Sequence, residues 1–192
     1  MNTAAGDPRP PVGDSAPATE GSAAEPVTHL VVMGVAGSGK TTVAALLAGR
    51  TGRRYAEADD FHPPANVEKM RAGVPLDDAD RAPWLAELRD WMSAQTDAGR
   101  PSVITCSALR RRYRDVLREA RGRVRFVHLD GSVELLESRI SARTDHFMPA
   151  TLLASQLAAL DPLDADEDGT RLDVAATPDD LVDAVVSWTS AG

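Results

Sequence analysis

Apolar and polar positions follow two alternating periods from His29 onward. Between apolar runs of strand length, apolar residues recur at helical spacing, as in the stripe of Trp84, Leu85, Leu88, Trp91 and Met92. The predicted strands are 29–33, 54–56, 102–106, 124–129 and 171–174. Strands that alternate with helices predict a parallel sheet with right-handed crossovers. We therefore expect an α/β fold of three layers, α/β/α, with a five-stranded parallel sheet in the middle.

Capping and turn residues predict where the helices begin and end. Gly52 is expected to end the first helix in a left-handed conformation, and Ser107 to cap the helix after the third strand. Pro83 is expected in the first turn of its helix, where a missing N–H costs nothing. Residues 177–180, Thr-Pro-Asp-Asp, open the last helix with a capping-box pattern.

The first 27 residues differ in composition from the rest of the chain. They are rich in Ala, Pro, Gly, Ser and Thr and contain no large apolar cluster. Such a segment cannot offset its ordering entropy by burying apolar surface. We expect a disordered tail over residues 1–27 and one folded domain over residues 28–192.

The segment after the first predicted strand carries the clearest chemical signal. Residues 34–41 read G-V-A-G-S-G-K-T, the pattern of a phosphate-binding loop (P-loop). Its glycines let backbone N–H groups surround phosphate oxygens at the positive end of a helix. Lys40 can reach the β- and γ-phosphates, and Thr41 can bind Mg²⁺. The predicted cofactors are ATP and Mg²⁺, and the predicted nucleotide-binding residues of the loop are Gly34, Val35, Ala36, Gly37, Ser38, Gly39, Lys40, Thr41 and Thr42.

Further polar residues follow the ends of other predicted strands, where ligands of parallel sheets bind. Phosphoryl transfer needs a group that orients or deprotonates the acceptor hydroxyl, and Asp59 is the candidate, with Asp60 as the competing assignment. A turn-capping role for Asp59 is the alternative. Cys106 is expected to be a small buried residue rather than a nucleophile.

Two arginines near the end of a later helix are candidates for a lid. Arg139 and Arg143 are four residues apart and therefore share a helix face. They either form a salt-bridged surface or close over the triphosphate. We place the small helical lid at about residues 139–156.

Composition argues against several classes of partner. The net charge is −8, from 21 Lys and Arg against 29 Asp and Glu, without a basic block, so nucleic acid is not an expected partner. No apolar run approaches the roughly 18 residues of a membrane span, and no secretory signal pattern is visible. The single cysteine suits a reducing cytoplasm.

Longer motifs resemble those of the gluconate kinases (gluconokinases), a branch of the P-loop kinases near the shikimate kinases. Residues 59–63, D-D-F-H-P, are similar to the family's G-D-x-h-H-P, in which h is hydrophobic. Residues 73–85 match G-x-P-L-x-D-x-D-R-x-P-W-L almost throughout. The resemblance covers about residues 30–186, and its other stretches are 34–41, 66–70, 106–110, 113–115 and 143–156.

The resemblance implies an ATP-dependent kinase that phosphorylates the 6-hydroxyl of D-gluconate to give 6-phospho-D-gluconate. It also implies a homodimer. Lys40, Asp59 and Arg143 are then the catalytic residues, and Arg139 joins the loop at the nucleotide. The implied substrate-binding residues are Asp59, His62, Lys69, Arg81, Ser107, Arg110, His146 and Gln156.

This sequence departs from the family pattern at a few positions. Ala58 and Asp145 stand where the family usually has Gly, and Arg110 replaces a Lys with a differently shaped donor. Two other functions stay open: a kinase for another small hydroxy acid such as shikimate, and a non-catalytic nucleotide-binding regulator. The H-P and D-R-x-P-W-L runs argue against the first, and intact Lys40, Thr41 and Asp59 argue against the second.

Overall fold

The computed structural model describes residues 25–142 and 150–191, which contain a five-stranded parallel sheet. Its strands are β1 (Thr28–Met33), β2 (Arg54–Glu57), β3 (Ser102–Thr105), β4 (Arg123–Asp130) and β5 (Gly169–Asp173). Their order is β2-β3-β1-β4-β5, and every neighbouring pair is parallel. The strand that leads into the P-loop is thus the central one.

Helices cover both faces of this sheet. In chain order they are α1 (Lys40–Thr51), α2 (Pro64–Arg71), α3 (Asp78–Asp97), α4 (Arg111–Arg118), α5 (Val133–Ser141), α6 (Ala150–Ala159) and α7 (Pro178–Ser190). A one-turn 3₁₀ helix, Ala58–Phe61, follows β2. Residues of α1 and α7 pack on one face, whereas residues of α3 and α4 pack on the other. The predicted three-layer α/β/α fold is confirmed.

The apolar run of β1 feeds two separate cores. Leu30 and Val32 pack with α1 and α7, whereas Val31 and Met33 pack with α3. All four side chains are fully buried. Because both faces of a central parallel strand are covered, its sequence is continuously apolar rather than alternating.

The predicted strands agree with the observed ones to within two residues, but two helix starts were predicted wrongly. Asp77 and Asp80 form a reciprocal capping box, with the Asp80 amide 2.9 Å from Asp77 Oδ1. This box starts α3 at Asp78 and leaves Pro83 in the second turn, not the first. Ser107 does not cap α4, because Ala108 adopts a positive φ of 44° and the helix begins only at Arg111.

Other boundaries agree with expectation. Gly52 ends α1 with a left-handed φ of 67°, and the Thr177 hydroxyl accepts a hydrogen bond from the Asp180 amide at the start of α7. No helix in the described ranges is long and apolar enough to cross a membrane. Residues 1–24, 143–149 and 192 lie outside the described residues, and with them most of the predicted tail, Arg143, Asp145 and His146.

Candidate active site

The loop between β1 and α1 has a backbone that depends on its glycines. Gly37 and Gly39 adopt φ values of 78° and 86°. A Cβ atom on Gly34 would lie 2.5 Å from the Leu129 carbonyl oxygen, and one on Gly37 would lie 2.9 Å from Ile140 Cγ1. At Gly34 and Gly37, the loop backbone therefore lies too close to neighbouring residues for any residue with a Cβ atom.

Several polar groups of this loop fit a bound phosphate. The Ser38 hydroxyl is buried and has no hydrogen-bond partner in the part of the chain that the structure describes. No side chain caps α1, and its first turn carries no acidic residue, so its terminal N–H groups remain able to bind an anion. The Lys40 ammonium group donates to the Val35 carbonyl at 3.0 Å, so it folds back along the loop. These features fit the triphosphate of ATP.

A cavity of about 280 Å³ opens beside the loop. Arg139 lies in its wall, where its guanidinium group donates to the Val174 carbonyl at 2.7 Å. Its lining also includes Ala176 and Pro178, before and at the start of α7. This cavity is where the remainder of a nucleotide would extend from phosphates held by the loop.

Three strand ends meet at what we call the β1–β3 edge, formed by Lys40, Asp59, His62 and Cys106. Burial raises the pKa of the Cys106 thiol to about 12, with the Asp59 carboxylate adding to the rise and the Lys40 ammonium group opposing it. Lys40 and Asp59 are therefore close enough to act on the same sulfur atom. The thiol is buried and protonated at neutral pH, as expected for a residue that is not a nucleophile.

The two acids of the 3₁₀ turn act on different neighbours. Asp59 raises the pKa of His62 and of Cys106, whereas Asp60 contributes to the raised pKa of Tyr55. Cys106 and Tyr55 belong to the two different cores, on opposite faces of the sheet. This placement favours Asp59 over Asp60 as the acid beside Lys40.

A polar wall made by His62 and Arg81 continues the edge. The His62 ring stacks on Trp84 with centroids 4.4 Å apart. Burial lowers the pKa of His62; the Asp59 charge opposes this shift and the Arg81 charge adds to it. The Arg81 guanidinium carbon lies 5.7 Å from the centroid of the Tyr113 ring.

Three other predicted substrate-binding residues, Lys69, Ser107 and Arg110, differ in the contacts that they make. Lys69 pairs with Asp80 at 2.6 Å. The Ser107 carbonyl accepts a hydrogen bond from the Gly34 amide at 3.4 Å, which ties β3 to the P-loop. Arg110 precedes α4 and makes no ion pair with residues 25–142 or 150–191, unlike Arg111, which pairs with four acids.

Gln156 contacts the P-loop rather than the polar wall. Its Oε1 atom accepts a hydrogen bond from the Ala36 amide at 2.6 Å. In this structure, α6 is thereby connected directly to the nucleotide site. The resemblance implied that Gln156 binds the substrate, whereas in this structure its side chain is hydrogen-bonded to the P-loop backbone.

Two residues beside the site form hydrogen bonds that the sequence analysis did not predict. Trp84 was predicted to be buried, and it is, but its indole N–H also donates to the Ala58 carbonyl at 2.7 Å. Asn66 is buried and contacts both His62 and Asp80. The sequence could have predicted that these side chains are hydrogen-bonded, because a buried indole N–H or amide requires a partner.

A larger cavity of about 550 Å³ lies elsewhere, lined by residues of β4, of β5 and of the segment that precedes β5. None of the predicted site residues lines it. Its polar lining is His128, Asp130, Asp164, Glu167 and Arg171. No group of three or more His, Cys, Asp or Glu within the described ranges could hold a metal ion.

The amino-acid sequence matches a known protein family over most of the chain. Residues 30–163 match the family model described as an AAA domain. A P-loop after the central strand of a parallel sheet, with this match, defines a nucleotide-binding protein of the P-loop class.

Within that class, the chain belongs to the gluconokinase family. It is 52% identical over 157 residues to the gluconokinase of Gluconobacter oxydans (strain 621H), which covers 82% of this chain and 88% of that one. A gluconokinase structure from Sinorhizobium meliloti 1021 is 40% identical, with a TM-score of 0.76 over 86% of this chain and 93% of the other. An unliganded sugar kinase from Janibacter sp. HTCC2649 is 53% identical, with a TM-score of 0.81 over 86% and 95%.

The relation to shikimate kinases is more distant. The shikimate kinase of Aquifex aeolicus is 15% identical, with a TM-score of 0.54 over 85% of this chain and 96% of that one. At this identity the likeness shows the fold alone. The shikimate alternative is therefore less supported than the gluconate one.

Proposed function

We propose that this protein transfers the γ-phosphoryl group of ATP to the 6-hydroxyl of D-gluconate, giving 6-phospho-D-gluconate and ADP. The observation that carries the proposal is that the charges of Lys40 and Asp59 both act on the pKa of the buried Cys106 thiol at the β1–β3 edge. A phosphate-binding cation and a proton acceptor thus lie together beside a polar wall. Membership of the gluconokinase family is the reason to propose D-gluconate as the acceptor.

The nucleotide would lie on the P-loop. Its amides and Lys40 would hold the β- and γ-phosphates, and Arg139 would border the cavity beside them. Thr41 would bind Mg²⁺, which, when bound, neutralises phosphate charge during transfer. Arg143, which lies outside the described residues, would approach the phosphates from the lid.

The acceptor would lie on the other side of Lys40. Asp59 accepts the hydrogen of the 6-hydroxyl while the hydroxyl oxygen forms a bond to the γ-phosphorus. The bond from this phosphorus to the oxygen that bridges it to the β-phosphate breaks, which releases ADP. His62 and Arg81 would bind the carboxylate and hydroxyl groups of the sugar acid. Further candidates for these contacts are Lys69, Ser107, Arg110, His146 and Gln156.

Family membership also supports a wider cellular proposal. We propose a magnesium-dependent homodimer that acts in the cytoplasm, in gluconate utilisation and supply of the pentose phosphate pathway. Analytical ultracentrifugation tests the dimer, and a sedimentation coefficient of a monomer at micromolar concentration would contradict it. Titration with EDTA and Mg²⁺ tests the ion requirement.

Release of ADP with a panel of acceptors tests the activity. D-gluconate, shikimate, other sugar acids and a reaction without acceptor are compared, and ³¹P NMR identifies the phosphorylated position. We expect release that depends on D-gluconate. Lys40→Met should lower turnover by about 100-fold or more, because a preorganised charge at the transferred group is lost. ATP use that is equal with and without acceptors would contradict the proposal, as would a preference for shikimate.

A further inference from the structure

We propose that Trp84 and Asn66 are positioning residues that hold His62 as its Nε2–H tautomer, so that this N–H donates to an oxygen of the acceptor. The identity of the acceptor rests on the proposed function, whereas the tautomer does not depend on it. Neither residue touches the reacting atoms in this assignment. Both act through the imidazole ring.

Trp84 fixes the plane of the ring and the turn that precedes it. The indole is 4% exposed, and its N–H donates to the Ala58 carbonyl at 2.7 Å. The His62 imidazole lies almost parallel to it, at 14° and with centroids 4.4 Å apart. One side chain thus holds both the peptide before Asp59 and the ring of His62. Stacking alone, however, does not select one ring nitrogen over the other.

Asn66 makes that selection. It is 4% exposed, and its Nδ2 atom donates to the Asp80 carbonyl at 2.8 Å, which sets the orientation of the amide. The same Nδ2 lies 3.5 Å from His62 Nδ1. A side-chain NH₂ group can only donate, so His62 Nδ1 must be the acceptor. In a neutral imidazole the proton is then on Nε2.

The surroundings of His62 agree with a neutral ring. Burial lowers its pKa; Asp59 in the 3₁₀ turn favours the charged form and Arg81 in α3 disfavours it. Lys69 of α2 and Asp80 of α3 are the other charged groups next to Asn66, and they pair with each other. Nε2 has no hydrogen-bond partner within residues 25–142 and 150–191. It is thus a neutral donor beside Asp59, suited to a hydroxyl or carboxylate oxygen.

Imidazole ¹H–¹⁵N spectra of the free protein test the tautomer without any assay of activity. Signals of His62 are identified by their loss in His62→Gln. We expect a protonated Nε2 and an unprotonated Nδ1 in the unmodified protein, and a shift toward a mixture of tautomers in Asn66→Ala. A mixture in the unmodified protein, or an unchanged spectrum in Asn66→Ala, would overturn the proposal.

Kinetics test whether the two residues act through His62. Asn66→Ala should raise the KM for gluconate by about twofold, because the fraction of His62 that carries its proton on Nε2 falls toward one half, and leave the KM for ATP unchanged. In a His62→Gln background, Asn66→Ala should add nothing further. Independent, additive effects would instead mean that Asn66 acts apart from His62, and the proposal would be wrong.

Substitutions of two tryptophans in α3 provide the matched comparison. Trp84→Leu should raise the KM for gluconate. Trp84→Phe should keep the KM close to that of the unmodified enzyme, because an aromatic ring still stacks on His62. Trp91, whose ring packs edge-on against Phe61 rather than on His62, is the control, and Trp91→Leu should leave this KM unchanged. Equal effects of Trp84→Leu and Trp91→Leu would contradict the positioning role. Should the unmodified enzyme phosphorylate no gluconate, the proposed function fails, and the tautomer spectra still decide this inference.

Discussion

Asp59 and Asp60 are adjacent in sequence, yet their charges act on opposite faces of the sheet. Asp59 acts on Cys106 and His62, whereas Asp60 acts on Tyr55. A 3₁₀ turn directs successive side chains about 120° apart, which is sufficient to separate them. At the scale of single residues, this orientation decides which acid can meet a hydroxyl next to Lys40.

Asp59→Asn should therefore keep nucleotide binding but lower turnover by about a hundredfold or more, the scale of a positioned proton acceptor. Asp60→Asn is the matched control, because it removes the same charge from the same turn on the other side. Steady-state kinetics with ATP and gluconate, and titration with an ATP analogue, give the two measurements. The reverse pattern would show that Asp60 is the acid at the site.

At the scale of elements, the glycines of the P-loop and of α1 have opposite roles. Gly34 has a φ of 143°, and a Cβ there would meet the Leu129 carbonyl oxygen at 2.5 Å. Gly49 lies within α1, where a Cβ would have nothing within 4 Å. Glycine is required at the first position and costs helix stability at the second.

Gly34→Ala should destabilise the protein by about 1–3 kcal/mol from its backbone conformation alone, with the close contact in addition. Gly49→Ala should stabilise it by roughly 0.5–1 kcal/mol, because alanine loses less backbone entropy in a helix. Urea unfolding of both variants is the measurement. Equal effects would mean that the loop relaxes to accept a side chain.

A buried ion pair connects α4 to the segment before β5. The side chains of Arg114 and Glu167 are both fully buried, and Arg114 Nε lies 2.6 Å from Glu167 Oε1. Burial alone would raise the pKa of Glu167, but hydrogen bonds from Arg114 and from the Asp164 amide hold it below its ordinary value. Arg114 also donates to the carbonyl groups of Asp161 and Pro162.

Arg114→Met should cost about 3–5 kcal/mol of unfolding free energy, because it leaves a buried carboxylate without its partner. Combining it with Glu167→Leu should recover part of that loss. The exposed pair of Arg121 and Asp97 is the control, and Arg121→Met should change stability much less than Arg114→Met, because water screens an exposed ion pair. Chemical unfolding measures all three. A double variant that is less stable than Arg114→Met would contradict this account.

For the whole molecule, buried histidines couple stability to pH. His29 is fully buried in β1 and is hydrogen-bonded by Ser102 at 2.8 Å and Thr96 at 2.7 Å. Thr96 donates to the Arg121 carbonyl, so its oxygen accepts from His29 and the ring is satisfied when neutral. Burial lowers the pKa values of His29 and of His128 in β4.

Because the unfolded chain binds protons near the ordinary value of 6.5 and the folded one only at lower pH, these histidines favour folding above pH 6.5. Their contribution is lost as the pH falls through the lowered folded-state values. Unfolding free energies at about pH 7.5 and about pH 5.5 should therefore differ, with less stability at the acidic value. His29→Gln should reduce the difference, and an unchanged difference would exclude His29 as a source of it.

Several features follow from neighbours in the sequence alone. The P-loop, the five strands and the family motifs are local patterns, because each depends on residue types at short, constant spacing. Even so, local signals for Pro83 and Ser107 led to wrong helix starts. A capping box at Asp77 and the positive φ of Ala108 outweighed them.

The arrangement of the site depended on residues far apart in the chain. Trp84 contacts His62 and Ala58, and Gln156 contacts Ala36. No periodicity encodes such pairs, because they arise only when the sheet brings the carboxyl ends of its strands together and helices pack over them. Local patterns were therefore sufficient to indicate the chemistry, but the partner of each polar side chain was decided by long-range packing, which leaves few buried polar groups unpaired.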